Sequence, residues 1–520
     1  MDASLPYPSQ RAPLGAANVV ATSQPLAAQA GLDALRRGGN AVDAALAAAI
    51  TLTVVEPCSN GLGSDAFALV WDGAELHGLN ASGRAPALWT RERFARYERM
   101  PQFGWDAVTV PGAVSAWVKL SARFGQLPFE DLFDAAIGYA EHGFQVGPRT
   151  AVHWAEAARL YADEAEFARH FLPAPAAGER RALPDTAASL RDIAASGGES
   201  FYRGELAARM EAAAIEAGGA LRASDLAAHQ CDWVMPLAQP YRDTVLHEIP
   251  PNGQGLAAQI ALGILAHCDA PPLDSADAMH LQIEAMKIAL RAAADHFADP
   301  DHMRITPAEL LDPASLARAA SRIGKDAAPL PPAALPTSPD TVYLSTADAA
   351  GMMVSFIQSN YWGFGSGVVV PGTGIALQNR GSGFSLERGH PNEVGPGKRP
   401  FHTIIPGFAT RDGEPFMSFG VMGGPMQAQG HVQMMTRVVD YGQNPQAASD
   451  APRWQVLGDY GVLLEPGFPT AVADELARRG HAVRFDVNNH AFGGAQLIVR
   501  TPHGYLAGSD HRKEGQAVGF

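Results

Sequence analysis

A threonine that heads a strand directly after a proline-rich stretch is the first feature of this chain with chemical consequences. Asp340-Thr341-Val342-Tyr343-Leu344-Ser345 enters an apolar strand, Asp348-Ala349-Ala350-Gly351 has turn composition, and Met352–Ser359 returns. Residue 348 then faces 351 or 352. With 348 opposite 352, the register sets Thr341 opposite Ser359. Directly opposed residues on one face stand about 4.5–5.5 Å apart at Cβ, so two hydroxyls there can touch. An ordinary hairpin with a Thr/Ser pair accounts for this much. A second use exists for a threonine in that place. Cutting the bond before Thr341 gives it a free α-amine, whose pKa of ~7.7–8.0 leaves a substantial neutral fraction near pH 7. That amine takes the proton of the threonine's own hydroxyl, so one residue becomes nucleophile and base.

Other catalytic signatures are missing from the sequence. It contains no GxSxG nucleophile elbow, no GxxxxGK[ST] phosphate loop and no HExxH, and Gly363-Phe364-Gly365-Ser366-Gly367 does not complete GxGxxG. Asp295, His296, Asp299, Asp301 and His302 have metal-binding residue types. They fall where a helix ends at Pro300, however, and polar residues commonly cap or solvate such an end. No metal and no cofactor is expected.

Patterning locates the segments around the threonine. Leu26–Arg37 reads as a helix stopped by Gly38-Gly39, and Asn40–Ala49 resumes it with small residues. A turn-rich stretch, Ser59–Asp65, precedes a short strand at Ala66–Trp71. Pro111-Gly112 opens a helix to about Arg123, and residues 134–226 are mainly helical with breaks at Pro173–Ala177 and Gly197-Gly198. Met279–Phe297 has a helical apolar stripe at Met279, Ile283, Met286 and Leu290. Ile323–Asp340 carries five prolines and is expected to be extended and exposed, with an interdomain linker as the plain reading. Beyond it strands are expected at Val342–Ser345, Val354–Ser359, Val368–Val370, Val462–Glu465 and Gln496–Val499. The chain is thus helix-rich first and strand-rich second, with no internal repeat.

Composition narrows the function classes. At 520 residues and 47% hydrophobic, the chain can bury a large core. Its net charge of −15, with no Lys/Arg-rich run beyond the mixed segment Arg91–Arg96, gives no reason to expect nucleic acid or an anionic membrane as partner. Cys58, Cys231 and Cys268 are too sparse for a disulfide scaffold and fit a reducing compartment. The first 16 residues hold three prolines and no apolar signal core, and the run Ala44–Val55 is too short to span a bilayer. A cytoplasmic protein is expected.

The chain resembles the gamma-glutamyltransferase family of self-processing N-terminal-nucleophile hydrolases over nearly its whole length. The resemblance rests on Arg37-Gly38-Gly39-Asn40-Ala41-Val42-Asp43-Ala44-Ala45, Val55-Glu56-Pro57, Gly61-Leu62-Gly63, Val110-Pro111-Gly112 and His280–Ile288. After Thr341 it continues through Phe364-Gly365-Ser366-Gly367, Gly372-Thr373-Gly374-Ile375 and Gly423-Gly424. It implies an α+β fold, a four-layer αββα sandwich. It also implies a precursor in which Thr341 attacks the carbonyl of Asp340. The products would be chains 1–340 and 341–520, which remain associated as a heterodimer forming one composite domain.

The resemblance further implies roles for individual residues. Thr341 matches the nucleophile, Ser359 a hydroxyl that orients it, and Gly423 and Gly424 the oxyanion hole. Arg84 matches an arginine that holds a substrate carboxylate, although the spacing to the following Ala-Pro is shorter than usual. Other positions depart from the pattern. Gln378-Asn379-Arg380-Gly381-Ser382-Gly383 stands where transferases carry an Asn-Asn and then an acidic pair, so Gly383 replaces the aspartate that holds the glutamyl ammonium. Tyr361 replaces an asparagine, and His402-Thr403 replaces paired serines. Arg380, Tyr361, His402 and Thr403 are therefore expected to shape a different substrate pocket, in which Arg380 repels an ammonium. A small amide with a nearby carboxylate is the expected substrate, of the kind exemplified by oxamate. A conventional gamma-glutamyltransferase acting on glutathione is the alternative, and a non-catalytic binding relative the second.

Overall fold

Val342–Ala347 and Met353–Ser359 form the central hairpin of a seven-stranded antiparallel sheet. In the computed structural model, which describes residues 10–329, 341–486 and 491–520, Val342 pairs with Gln358 and Ala347 with Met353. This is the register that brings Thr341 opposite Ser359. Alternation of side chains sends Val342, Leu344, Val354 and Phe356 toward a layer of helices, and Tyr343, Ala347, Met353 and Ile357 toward a second sheet. The strand order of this first sheet is Gln516–Gly519, Val19–Thr22, Val342–Ala347, Met353–Ser359, Asp65–Trp71, Leu76–Ala81 and Asp232–Val234.

The second sheet also has seven antiparallel strands. Their order is Leu14–Ala16, Gly504–Ser509, Gly494–Thr501, Glu414–Met422, Gly407–Arg411, Thr244–Glu248 and Leu237–Tyr241. Between the two sheets, Phe67, Leu69, Tyr343, Ile357, Phe408, Met422 and Ile498 share one apolar layer. Helices Pro25–Arg36, Ala41–Val55 and Ala113–Phe124 cover the first sheet, while Gly255–Leu265, Ala276–His296 and Met426–Met435 cover the second. The result is a four-layer αββα sandwich. Among the described residues, no helix is long and apolar enough to cross a membrane.

Local sequence explains the helix that lies under the hairpin. Asn40 accepts the N–H groups of Val42 and Asp43, and Asp43 accepts the N–H of Asn40, a reciprocal cap that starts Ala41–Val55. All 15 residues of this helix are buried, and its alanines permit close approach to Pro25–Arg36. Asp348 in the hairpin turn accepts the N–H of Ala41 at 2.8 Å, so the helix start and the turn fix each other.

Two expectations change. Val368–Val370 is not a strand: Gly367 and Gly374, at φ +78° and +69°, turn the backbone, leaving only an isolated bridge from Val369 to Ala376. The division into helix-rich and strand-rich parts is incomplete. Residues before Thr341 supply strands to both sheets, and residues after it supply the long buried helix Met426–Met435. Of the proline tract, residues 323–329 are described and mainly exposed; residues 330–340, with Asp340, lie outside the described residues.

Candidate active site

Thr341 precedes Val342 on the face of the strand that looks toward the second sheet. Its Oγ1 lies 3.1 Å from Ser359 Oγ, the contact that the hairpin register demands. Ser359 Oγ also accepts the N–H of Tyr361 at 2.7 Å. Tyr361 has φ +79°, a backbone geometry that costs a non-glycine residue free energy and turns the chain sharply after the strand. A second amide reaches the threonine from the other sheet's helix, with Gln427 Nε2 at 3.5 Å from Thr341 Oγ1. Gln427 Oε1 accepts the Ile405 N–H at 3.0 Å, which holds the amide in place. Thr341 and Ser359 are 1% and 0% exposed.

Gly423 and Gly424 sit between strand Glu414–Met422 and helix Met426–Met435, both at positive φ, +123° and +56°. A Cβ on Gly423 would stand 2.9 Å from Gly493 Cα, so the strand-to-helix turn requires glycine there. Among the described residues neither glycine's N–H donates to another backbone group, while their carbonyls accept Met426 and Gln427 N–H at 3.0 and 3.2 Å. Gln254 Nε2 ties the turn to the segment that precedes strand Gly407–Arg411 by donating to Gly424 O at 2.8 Å and to Thr403 O.

Arg380, 1% exposed, lies over the Tyr361 ring at 4.7 Å and donates from Nη1 to Thr403 Oγ1 at 2.8 Å. Burial lowers its pKa to about 10, partly offset by Asp65 and Tyr361, so it remains charged at neutral pH. The structure thus gathers Thr341, Ser359, Tyr361, Arg380 and Thr403 into one linked set, with Gly424 joined through Gln254. His402 is fully buried and lies 3.1 Å from Asp65. Burial, with Arg380 and Arg399, pushes its pKa well down, so its ring is neutral. Arg84 is placed differently: Nη1 bonds Asp299 at 3.1 Å and the Gly397 carbonyl at 3.0 Å, and its side chain is 44% exposed. Gly383 ends the 3-10 turn that Arg380 begins, and a Cβ there would lie 2.5 Å from the Phe401 carbonyl oxygen.

Sequence reasoning missed Asp65, Gln254 and Gln427. Asp65 pairs with Ser359 across the sheet and accepts the N–H groups of Gly83 and Gly112 at 3.3 and 3.0 Å. Burial raises its pKa to about 7, against the lowering effect of Arg380 and the two N–H groups. A signal was present, since one charged residue heads an otherwise apolar strand, Asp65–Trp71, and a buried charge needs partners. The two glutamines gave none.

The acidic and histidine residues near Pro300 do not converge. Asp295 pairs with Arg291, and Asp299 caps the short 3-10 turn while binding Arg84 and Arg399 N–H. Among the described residues, two other groups are close enough to share an ion. In His280, Glu284 and His481, the Lys287 ammonium already bonds Glu284 at 2.8 Å and faces His481 at 3.3 Å. Asp72, Glu75 and His77 form the other, where Asp72 and His77 lie 2.8 Å apart. Neither contains a residue of the Thr341 set.

Known proteins share this architecture. A family model described as gamma-glutamyltranspeptidase matches residues 27–520. The glutathione hydrolase-like YwrD proenzyme of Bacillus subtilis is 35% identical over 98% of this chain and 99% of its own length. The oxamate amidohydrolase proenzyme of Klebsiella pneumoniae is 37% identical over 95% of this chain and 97% of its own. Among solved structures, a cephalosporin acylase from Bacillus halodurans superposes with a TM-score of 0.96 at 49% identity, covering 100% of this chain and 99% of that one. The chain belongs to the gamma-glutamyltranspeptidase family of N-terminal-nucleophile hydrolases.

Proposed function

We propose that the chain is a proenzyme that cuts itself before Thr341 and then uses Thr341 to hydrolyse amide bonds of small carboxylate-bearing substrates. The observation that carries the reading is the Thr341 hydroxyl, at the head of a buried central strand, 3.1 Å from Ser359 and 3.5 Å from Gln427, whose backbone N–H bonds Gly424 of a positive-φ glycine pair at a helix start. In maturation, Thr341 Oγ attacks the carbonyl carbon of Asp340. The acyl group passes from nitrogen to oxygen, and water hydrolyses the ester, releasing the Asp340 carboxylate and the Thr341 α-amine. In turnover that amine takes the hydroxyl proton as Oγ bonds to the substrate carbonyl. The Gly423 and Gly424 N–H groups receive the developing oxyanion, and fixed donors of this kind contribute about 3–4 kcal/mol each to such steps. The protonated amine then gives its proton to the leaving nitrogen. Water takes the acyl group from Thr341 in the second half. The two chains stay together as a heterodimer, and we place the enzyme in the cytoplasm on its sparse, widely spaced cysteines.

An oxamate-type amide is the preferred substrate, because Gly383 offers no carboxylate for an α-ammonium and Arg380 adds a positive charge. The relative named glutathione hydrolase-like favours the second reading, a gamma-glutamyl substrate. Denaturing electrophoresis and Edman sequencing test the mechanism. Wild type should give two bands, with Thr341 first in the shorter chain, and Thr341→Ala should give one. A Thr341→Ala chain still cut at the same bond ends the self-processing reading. Ammonia release from oxamate, set against release of anilide from a gamma-glutamyl anilide, separates the two substrates.

A further inference from the structure

We infer that Arg380, rather than Arg84, reads the negative charge of the substrate, and that the acyl group it selects is that of a short dicarboxylic acid monoamide lacking an α-ammonium. The inference rests on the proposed amide-hydrolase function and deepens it. Three arginines lie near the site. Arg84 is held by Asp299 and the Gly397 carbonyl. Arg399 donates to Asp232, to the Ser82 carbonyl at 3.0 Å and to the Gln230 carbonyl at 3.4 Å. Arg380 alone of these keeps buried donors in reserve: its Nη1 is used by Thr403, while Nε and Nη2 have no partner among the described residues.

A buried guanidinium with unused N–H groups carries a desolvation penalty that a carboxylate relieves through two parallel, charge-assisted hydrogen bonds. The neighbouring Asp65 does not play that part, since its oxygens are taken by Gly83 N–H, Gly112 N–H and His402. Placement connects the fork to the reacting centre. The ring beneath Arg380 belongs to Tyr361, whose N–H holds Ser359 Oγ, the partner of Thr341. The Thr403 carbonyl shares the Gln254 amide with the Gly424 carbonyl. An acyl group bonded to Thr341 therefore extends toward Arg380.

Gly383 supplies the second half of the argument. Any side chain there meets the Phe401 carbonyl at 2.5 Å from Cβ, so this turn does not accept an acidic residue to bind an ammonium without moving. Arg380 sets a buried positive charge at the start of this turn, and position 383 carries no counterpart for an amino group. Oxamate is the shortest member of the class, and a glutaryl amide is the gamma-glutamyl group stripped of its amine.

The test uses matured wild-type enzyme with the anilides of glutaric, succinic, gamma-glutamyl and butyric acids. Glutaryl or succinyl anilide should exceed both the butyryl and the gamma-glutamyl compound in kcat/KM by about tenfold or more, the discrimination expected of a charge-assisted pair. Arg380→Gln should bring the carboxyacyl-to-butyryl ratio down by about tenfold, mainly through KM, and Arg380→Lys should fall between. Should Arg380→Gln not accumulate, competitive inhibition of wild type by free glutarate against butyrate gives the same answer, with glutarate expected to be about tenfold stronger. A preference for gamma-glutamyl anilide, equal rates on glutaryl and butyryl anilides, or an unchanged ratio in Arg380→Gln overturns the inference alone. A chain that neither cuts itself nor hydrolyses any of the amides defeats the functional reading and this inference with it.

Discussion

Asp65 is a carboxyl group with no exposure, three hydrogen-bond partners and a pKa raised to about 7. His402 Nδ1 faces the Ile404 N–H at 3.4 Å, so its Nε2 carries the proton and donates to Asp65. A carboxyl pKa raised on folding means that the native state binds the proton more tightly. Its contribution to stability is full below the ordinary carboxylate range and declines as pH rises from about 4 to about 7. Asp65→Asn removes that titration and sets an N–H against the His402 donor. Thermal midpoints should show a wild-type advantage that is largest near the acid end of this window and shrinks toward neutrality; an advantage constant with pH would refute the assignment. Ser359→Ala leaves the Tyr361 N–H buried without its acceptor and Thr341 without its hydroxyl neighbour. A loss of about 1–3 kcal/mol at such a site corresponds to about 5- to 160-fold in kcat/KM, measurable on any hydrolysed anilide. The hydroxyl pair was legible in the sequence because strand alternation and a short turn place it by arithmetic. Asp65 needed three segments, 65, 83 and 112, to meet around one carboxylate, and no local pattern reports that.

At the level of elements, the hairpin turn sets the site's geometry. Asp348 Oδ1 accepts the N–H groups of Ala350 and Met352, and Oδ2 accepts that of Ala41, which ties the turn to the start of helix Ala41–Val55. A one-residue slip would turn Thr341 to the opposite face of the sheet, away from Ser359. Asp348→Ala frees three N–H groups at a site only 5% exposed and should cost about 1–3 kcal/mol in a denaturant titration, with self-cleavage slowed in a pulse-chase on the gel. Gly423→Ala should be harsher, because φ +123° and the 2.9 Å approach to Gly493 both oppose a side chain. Little or no mature enzyme is expected, whereas normal processing and rate would refute the oxyanion role of this turn. The strands around Thr341 and the amphipathic helix Ala276–His296 were readable from period alone. Helix Met426–Met435 was not, because it is buried on every side and so shows no polar face. Its glutamines instead feed the backbone of other segments: Gln429 and Gln433 donate to the carbonyls of Val456 and Trp454.

Over the whole molecule, the residues before and after Thr341 are woven together, and this interleaving would hold two chains together after the proposed cut. Strand Val19–Thr22 is flanked by Val342–Ala347 on one edge and Gln516–Gly519 on the other. Met353–Ser359 pairs with Asp65–Trp71, Leu14–Ala16 with Gly504–Ser509, and Gly407–Arg411 with Thr244–Glu248. Each of these seams joins the two sides of the proposed cleavage point, and the apolar layer between the sheets takes Phe67 and Ile249 from one side and Tyr343, Phe408 and Ile498 from the other. Separation would open strand edges in both sheets and expose that layer to water, which is the cost of unfolding rather than of undocking. Matured protein should therefore run as two bands under denaturing conditions yet elute, by light scattering, as one species no lighter than 54.8 kDa. Salt at about 1 M should not divide it, because the seams depend on backbone pairing and apolar burial rather than on exposed ion pairs. In urea, loss of circular dichroism and separation of the chains should coincide in one transition. Chains that part while keeping their secondary structure would show that each half folds alone, and would contradict the interleaved sheets as the bond between them.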